Sequence, residues 1–222
     1  MTRKVAIIGA GGFGREVHEI YQACIDGGAD IEVLGYVVEA GFGEPGALVN
    51  GLPILGDIGW LEAHPESVRT ICAIGDPTVR RRIVERCQSA SIPFDSVVHP
   101  QVVLGRRVTL GQGVVVCAGS VITTDVYVGD HVHVDIGCTL SHDVRIGDLS
   151  RLSPGVHVSG NVTIGVGAFV GTGAVILERR SVGEWSITGA GSVVTTDVGA
   201  DSTVVGVPAR RIKQREPGWH LR

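Results

Sequence analysis

Large side chains are scarce in this chain of 222 residues: aromatic residues make up 5% of it, and methionine occurs once. A hydrophobic core must therefore be built from aliphatic and small side chains. No uncharged apolar run approaches the roughly 18 residues of a membrane span, and the first residues lack the long apolar segment and cleavage site of a signal peptide. We therefore expect a cytoplasmic protein without a membrane partner.

Cysteine pairs and excess positive charge are also missing. The five cysteines are odd in number, widely spaced and never arranged as CxxC, which argues against a disulfide framework or a zinc ribbon. The net charge of -4 argues against a nucleic-acid partner. Glycine, in contrast, occurs 33 times, about twice its usual share. Since 44% of the residues are hydrophobic, these glycines must serve a folded structure rather than collagen or disorder.

A glycine-rich turn follows the first apolar run. Val5–Ile8 reads as a buried parallel strand, Gly9–Gly14 matches GxGxxG, and Arg15–Cys24 has one apolar helical face. This order directs backbone N–H groups and the positive end of a helix dipole towards a phosphate. The motif alone is weak evidence for phosphate binding, because a tight strand-to-helix turn without a ligand has the same pattern.

Further alternation of strands and helices fills about the first 95 residues. Val33–Val38 and Thr70–Gly75 read as strands, and Asp76 followed by Pro77 is typical of a helix cap. We expect residues 1–95 to form a small α/β Rossmann-like domain with an open parallel sheet. These strands are too few for a full dinucleotide-binding domain. The pattern therefore disfavours an NAD dehydrogenase and favours the phosphates of a single nucleotide.

From Val98 onward, the sequence repeats every six residues. Sixteen of the seventeen positions are aliphatic, and Thr188 is the exception: Val98, Leu104, Leu110, Val116, Ile122, Val128, Val134, Leu140, Ile146, Leu152, Val158, Ile164, Val170, Ile176, Val182, Thr188 and Val194. A period of six predicts a parallel β-helix for residues 96–222, in which three short strands, one from each of three successive repeats, close one coil. Residues three repeats apart then lie above one another, and corners need small or left-handed residues. A β-helix that is only a structural scaffold, without catalytic activity, fits this pattern equally well.

Several motifs together resemble one known family. These are the glycine turn, LGYVVE (Leu34–Glu39), GLPILG (Gly51–Gly56), AIGDPTVR (Ala73–Arg80), VVHP (Val97–Pro100), GAGS (Gly189–Ser192) and GVPAR (Gly206–Arg210). In this order they resemble the left-handed β-helix (hexapeptide-repeat) sugar acyltransferases. Within these, the chain is similar to the bacillosamine and perosamine N-acetyltransferases and the sialic acid O-acetyltransferases. The resemblance implies polysaccharide biosynthesis, acetyl-CoA as co-substrate, no metal, and a homotrimer with active sites between subunits.

The resemblance also implies a catalytic pair. His142 would deprotonate the amine of a nucleotide-linked 4-amino-4,6-dideoxy sugar for direct attack on acetyl-CoA, and Asp143 would orient the imidazole. Adjacent side chains diverge on a regular strand, so this pair requires a bend at a coil corner. Gly160 lies three repeats, or one full coil, after His142, and its backbone N–H could stabilise the developing oxyanion. A polar turn without chemistry is the alternative.

The remaining site residues are also inferred from the resemblance. The sugar nucleotide would contact the glycine turn and the ends of the strands; these residues are Gly11, Gly12, Phe13, Gly14, Arg15, Glu39, Gly75 and Asp76. Acetyl-CoA would lie along the β-helix; its candidates are Arg151, Thr172, Ala190, Gly191, Pro208 and Arg210, with Arg211 and Lys213 beyond. Arg179–Arg180 is a second phosphate candidate, although an insertion at a corner explains it equally well.

Three positions depart from the family pattern. Arg151 stands where relatives often carry a second histidine, and a guanidinium cannot act as a base at neutral pH. Phe13 replaces a histidine that several relatives have in the glycine turn. Val38–Glu39 replaces an acidic pair that contacts the nucleotide base, so the sequence leaves the identity of the base open.

Three alternative functions stay open at this point. The same residues could catalyse O-acetylation, because hydroxyl and amine acceptors need the same base. The histidines His131, His133 and His157 raise the possibility of a zinc enzyme like the γ-type carbonic anhydrases, although His133 and His157 are separated by four repeats rather than three and should lie on different faces. A nucleotide-binding scaffold without catalysis is the third alternative.

Overall fold

The structure is a computed structural model that describes residues 2–64 and 67–221. The chain divides into two compact units, Met1–Pro100 and Gln101–Arg222. In the described part of the chain, no helix is long and apolar enough to cross a membrane.

The first unit contains a five-stranded sheet with helices around it. Its elements are β1 (Arg3–Ile8), α1 (Gly12–Asp26), β2 (Ile31–Val37), β3 (Leu48–Val49), β4 (Leu52–Gly56), α2 (Ile58–Glu62), β5 (Arg69–Cys72), α3 (Pro77–Ser89) and the short β6 (Val97–Val98). The strand order is β3-β4-β2-β1-β5. All neighbours are parallel except β3 and β4. The interior strand β1, between β2 and β5, supplies the fully buried run Val5–Ile8, as its continuous aliphatic sequence predicts.

Three elements of this unit were not predicted from the sequence. Strands β3 and β4 and helix α2 lie in a stretch where Pro53 and several glycines interrupt any apolar period. The predicted cap of α3 is confirmed. Asp76 accepts hydrogen bonds from the backbone N–H groups of Thr78 (2.7 Å) and Val79 (3.2 Å), and Pro77 is the first helical residue.

The second unit is the predicted left-handed parallel β-helix, and its strands form three faces. Face one contains β7 (Val103–Leu104), β10 (Val121–Ile122), β13 (Thr139–Leu140), β16 (His157–Val158), β19 (Val175–Ile176) and β22 (Val193–Val194). Face two contains β8 (Val108–Leu110), β11 (Val126–Val128), β14 (Arg145–Ile146), β17 (Thr163–Ile164) and β20 (Ser181–Val182). Face three contains β9 (Val115–Val116), β12 (His133–Val134), β15 (Arg151–Leu152), β18 (Phe169–Val170), β21 (Ile187–Thr188), β23 (Ser202–Val205) and the antiparallel β24 (Arg210–Gln214).

Strand pairing confirms a coil of three repeats. Val121 pairs with Thr139, and Thr139 pairs with His157. From β9 onward, the second residue of each two-residue strand is buried, and Ile122, Leu140 and other aliphatic residues of the six-residue period are completely buried. The narrow interior explains the shortage of large side chains, because stacked valine, isoleucine and leucine fill it.

The corners of the coil explain much of the glycine surplus. One corner consists of glycines with a left-handed φ of 64 to 71°, one from each successive coil: Gly119, Gly137, Gly155, Gly173 and Gly191. A second corner takes the same conformation without glycine, at Asp125, Asp143, Asn161 and Arg179. Short polar side chains tolerate this region better than others.

The insertion considered at Arg179–Arg180 is absent. Thr163 still pairs with Ser181, so the register of the coil continues through this corner. The register shortens only in the next coil, where Ile187 pairs with Thr203. The last described element is a short 3-10 helix (Trp219–Leu221), in which the His220 ring stacks on Trp185 with 3.9 Å between centroids.

Candidate functional site

His142 and Asp143 lie at the corner between β13 and β14. Asp143 has a left-handed φ of 60°, which supplies the bend that the pairing of adjacent side chains requires. His142 Nδ1 lies 2.8 Å from Asp143 Oδ2. An ionised carboxylate can only accept a hydrogen bond, so Nδ1 donates and Nε2 keeps its lone pair. Both side chains are more than half exposed, at 57% and 54%, so this corner of the coil is accessible to a substrate.

Gly160 lies directly over the imidazole, on the next coil. Asn161 N–H donates to the carbonyl oxygen of His142 at 3.0 Å, which connects the two corners. A Cβ atom at position 160 would stand only 2.6 Å from His142 Nε2. Only glycine at position 160 therefore leaves enough space for the imidazole ring of His142. The predicted role of the Gly160 N–H towards an oxyanion stays a prediction.

An ion pair lies on the coil below His142. Asp125 occupies the same corner column as Asp143, one coil earlier, and Arg107 Nε and Nη2 donate to its two carboxylate oxygens at 2.6 and 2.9 Å. These hydrogen bonds, together with one from Thr124, lower the pKa of Asp125. This pair was not predicted from the sequence, although Arg107, Asp125 and Asp143 are each one coil apart and this regular spacing could have revealed it.

The guanidinium of Arg151 forms an ion pair within the β-helix. Its Nε and Nη2 donate to Asp135 Oδ2 at 2.9 and 2.7 Å, and the Asp135 side chain is almost completely buried. Arg151 was predicted to contact the cofactor, and this stays a prediction. Asp135 and Arg151 are not separated by a whole coil. The expectation that residues one coil apart lie above one another therefore does not predict this pair.

The predicted coenzyme A residues form two groups. Thr172, Ala190 and Gly191 are exposed at one corner, where the Gly191 N–H donates to the carbonyl oxygen of Thr172 at 2.8 Å. Pro208 and Arg210 lie in and after the turn between β23 and β24, and Arg210 is exposed. Both groups are therefore accessible to a ligand.

The first unit has a crevice at the carboxyl ends of its central strands, where open α/β sheets bind ligands. The crevice has a volume of about 700 Å³. It is lined by Ile8, Gly9, Ala10, Gly11, Val37, Val38, Glu39, Phe42, Val49, Ile74, Val79, Arg82 and Ile83. Phe42, in a loop, and Arg82, in the second turn of α3, were not predicted from the sequence.

The glycine turn presents the start of α1 to this crevice. Gly11 is the N-cap residue, and the first helical hydrogen bond runs from the Arg15 N–H to the Gly11 carbonyl oxygen at 3.1 Å. The N–H groups of Gly12, Phe13 and Gly14 precede it and lie outside the regular helical ladder. A Cβ atom at Gly14 would overlap the carbonyl oxygen of Gly9. This close contact of helix and strand is one reason for the glycines of GxGxxG. Arg15 is exposed in the same turn.

Gly75 and Asp76 have structural partners in the loop between β5 and α3. Asp76 Oδ1 accepts the hydrogen bonds from Thr78 and Val79 that cap α3, and the carbonyl oxygen of Gly75 accepts a hydrogen bond from Arg80. Partial burial acts to raise the pKa of Asp76, but the hydrogen bonds from Thr78 and Val79 outweigh it and lower the pKa. Their contact with substrate stays a prediction.

The histidines lie where their spacing predicts. His133 belongs to face three and His157 to face one, and His157 Nδ1 is 2.9 Å from Thr139 Oγ1. Within residues 2–64 and 67–221, no group of three or more His, Cys, Asp or Glu side chains is placed to hold a metal ion. Cys138 is completely buried, and burial raises its pKa to about 12, so it is not an accessible thiolate.

Known proteins resemble both units. Residues 4–87 match the family described as the PglD N-terminal domain. The acetyltransferase domain of PglB from Neisseria gonorrhoeae is 33% identical with a TM-score of 0.87, and the match covers 95% of this chain and 100% of that one. That domain has also been solved in complex with acetyl coenzyme A.

Two further structures cover nearly the whole chain. PerB, the perosamine N-acetyltransferase of Caulobacter crescentus, was solved with CoA and GDP-perosamine; it is 31% identical with a TM-score of 0.87, covering 96% of this chain and 99% of that one. WeeI from Acinetobacter baumannii is 28% identical with a TM-score of 0.85, covering 95% and 100%. A search of curated protein sequences gave no match.

Proposed function

The chain belongs to the nucleotide-sugar N-acetyltransferases of the hexapeptide-repeat family, and on this premise we propose that it acetylates the amino group of a nucleotide-linked 4-amino-4,6-dideoxy sugar. Acetyl-CoA is the acetyl donor. The observation that carries the proposal is the His142–Asp143 pair, which lies beneath Gly160 with both side chains more than half exposed.

His142 acts as general base in a direct transfer. Asp143 holds Nδ1 protonated, so Nε2 accepts the proton of the attacking amine. The new C–N bond forms at the acetyl carbonyl carbon, and the backbone N–H of Gly160 donates to the oxygen that gains negative charge. The C–S bond then breaks, and His142 returns the proton to the departing sulfur. The buried thiol of Cys138 takes no part.

The sugar nucleotide binds in the crevice of the first unit. Its diphosphate lies at the N-terminus of α1, where the N–H groups of the first helical turn and the helix dipole stabilise an anion. Arg15 adds a positive charge. Glu39 and Phe42 line the same crevice and lie within reach of the nucleoside.

The β-helix forms a homotrimer through face one. The outward residues of this face are Val103, Val121, Thr139, His157, Val175 and Val193, so four of the six are valines. Those of face two are Thr109, Tyr127, Arg145, Thr163 and Ser181. Water exposure of these valines is unfavourable, so face one is the surface that association would bury. The His142 corner borders this face, which would place the catalytic residue at the edge of a subunit contact.

A thiol-release assay with acetyl-CoA tests the function. The acceptors are 4-amino-4,6-dideoxy sugars linked to UDP, GDP and dTDP, with the corresponding 4-hydroxy sugars as matched controls. We expect CoA release with one amino acceptor and none with its hydroxyl counterpart. Turnover confined to hydroxyl acceptors would show O-acetylation instead, and the lack of turnover across the panel would overturn the proposal.

A further inference from the structure

Arg82 is an exposed cation on the wall of the crevice in the first unit. It lies in the second turn of α3 and lines the crevice together with Val79 and Ile83. Residues three and four positions apart lie on one side of a helix, which explains why these residues share the wall. Glu39 is the other charged residue among the described ones that line the crevice. A cation is therefore presented to a space whose walls are otherwise largely apolar.

Arg82 differs from its neighbours on α3 in that it has no partner among the described residues. Arg81 donates to Glu85 at 2.7 Å, and Arg86 donates to Glu62 at 3.3 Å. In the described part of the chain, no hydrogen bond or ion pair holds the guanidinium of Arg82. Its charge is therefore available to an anion in the crevice without the loss of an existing ion pair.

The strand order places Glu39 and Arg82 on opposite sides of the glycine turn. Strand β1, which this turn follows, lies between β2 and β5. Glu39 comes shortly after β2, and Arg82 belongs to the helix that follows β5. In open α/β sheets, an acidic residue after the second strand binds the ribose, and the phosphates lie at the N-terminus of the first helix. A nucleotide in this orientation extends its distal phosphate from the glycine turn towards Arg82.

We propose that Arg82 binds the distal phosphate of the sugar nucleotide, to which the sugar is attached, and makes the crevice selective for nucleoside diphosphates over monophosphates. The first turn of α1 stabilises the diphosphate through its N–H groups. Arg82 adds a positive charge on the side of the distal phosphate, and its N–H groups donate to the phosphate oxygens. This inference rests on the proposed function, since it assumes that the crevice binds a nucleoside diphosphate.

The test compares Arg82→Met, which keeps a long side chain but removes the charge and the donors, with Arg86→Met on the same helix. Arg86 is exposed and is not among the residues that line the crevice, so it serves as the matched control. Calorimetry measures the binding of GDP, GMP, UDP and UMP. We expect Arg82→Met to weaken diphosphate binding about tenfold, as the loss of a hydrogen bond to a charged group would, and to change monophosphate binding little. Arg86→Met should bind all of these nucleotides as the wild type does.

Two further measurements separate a binding role from a structural one. In steady-state kinetics, Arg82→Met should raise KM for the sugar nucleotide and leave KM for acetyl-CoA unchanged. Arg82→Lys should retain most of the diphosphate affinity, because an ammonium group also binds phosphate as a point charge. Equal losses in Arg82→Lys and Arg82→Met would overturn the role of the charge.

The remaining results distinguish this inference from the proposed function. A wild-type protein that binds none of these nucleotides would overturn the proposed function as well. Diphosphate binding that Arg82→Met retains, or an equal loss of monophosphate and diphosphate binding, would overturn only the role of Arg82.

Discussion

At the residue scale, the proposed chemistry depends on positions where a small or bent residue makes room for a reactive one. Asp143 turns back on His142 because its backbone is left-handed, and Gly160 leaves the imidazole its space because it has no Cβ. Both features are local, and both come from corners of the coil. Two substitutions test whether they matter for catalysis.

Gly160→Ala should impair catalysis without unfolding the chain. The added methyl group would stand 2.6 Å from His142 Nε2, so the ring must move away from its productive position. A misplacement of about 1 Å can cost about 10²-fold in kcat, and we expect a loss of this size with little change in melting temperature. Gly199→Ala, whose methyl group meets open space, is the control. Equal kcat values for the two variants would contradict the placement of Gly160 over the base.

His142 and Asp143 should act as one unit. We expect His142→Asn to lower kcat by about 10²- to 10⁴-fold, and Asp143→Asn to lower it less, because the imidazole is still present but poorly oriented. The double variant should be no slower than His142→Asn, since the carboxylate acts only through the ring. Multiplicative losses in steady-state kinetics would show that Asp143 acts independently.

At the element scale, the fold depends on short segments whose ends have defined partners. The short strands of the β-helix are held by pairing with the coil before and the coil after, as Thr139 pairs with Val121 and with His157. Helix α3 is held by its cap, since Asp76 accepts from two backbone N–H groups. The cap is a carboxylate whose pKa is lowered in the folded protein, so its contribution depends on pH.

Asp76→Ala should reduce stability more at neutral than at acidic pH. The folded pKa lies below the unfolded value of about 3.9, so the stabilisation is complete above that value and is lost as pH falls through the folded pKa. We expect a cost of about 1 kcal/mol at pH 7. Urea unfolding followed by circular dichroism at 222 nm measures it, because the long helices α1 and α3 both lie in the first unit. The control is Asp76→Asn, which keeps the cap at all pH values. An equal loss in the free energy of unfolding at pH 7 and pH 3 for Asp76→Ala would contradict a charged cap.

At the scale of the whole molecule, the β-helix presents faces of different chemistry. Valines occupy most outward positions of face one, and polar residues dominate face two. The corner that carries His142 separates these faces. Association through face one would therefore bring another subunit to the edge of the corner that carries His142.

A charge on face one should disrupt this association. We expect light scattering after size exclusion to give three chains for the wild type and a lower mass for Val175→Glu, because burial of an unpaired carboxylate is costly. Thr163→Glu occupies the equivalent outward position on face two and should remain trimeric. A monomeric wild type, or dissociation of both variants alike, would contradict the assignment of face one.

The sequence alone was sufficient for every feature that repeats along the chain. The period of six predicted the coil, the stacking of every third repeat and the inward aliphatic residues, and stacking placed Gly160 over His142. The strand, glycine turn and helix at the start of the chain, and the Asp76 cap, were equally predictable, since each depends on residues close in sequence. Strands β3 and β4 were not, because a short edge hairpin with Pro53 carries no periodic signal.

Only the tertiary structure decided which side chains meet. Asp135 and Arg151 are not a whole coil apart and still form an ion pair, and the guanidinium of Arg80 turns inward to backbone carbonyl groups rather than outward to solvent. Periodicity determines which residues share a face, whereas the direction of a long side chain depends on the space and partners around it. For this reason the position of the His142 corner could be predicted from the sequence, but the inward direction of the Arg80 side chain could not.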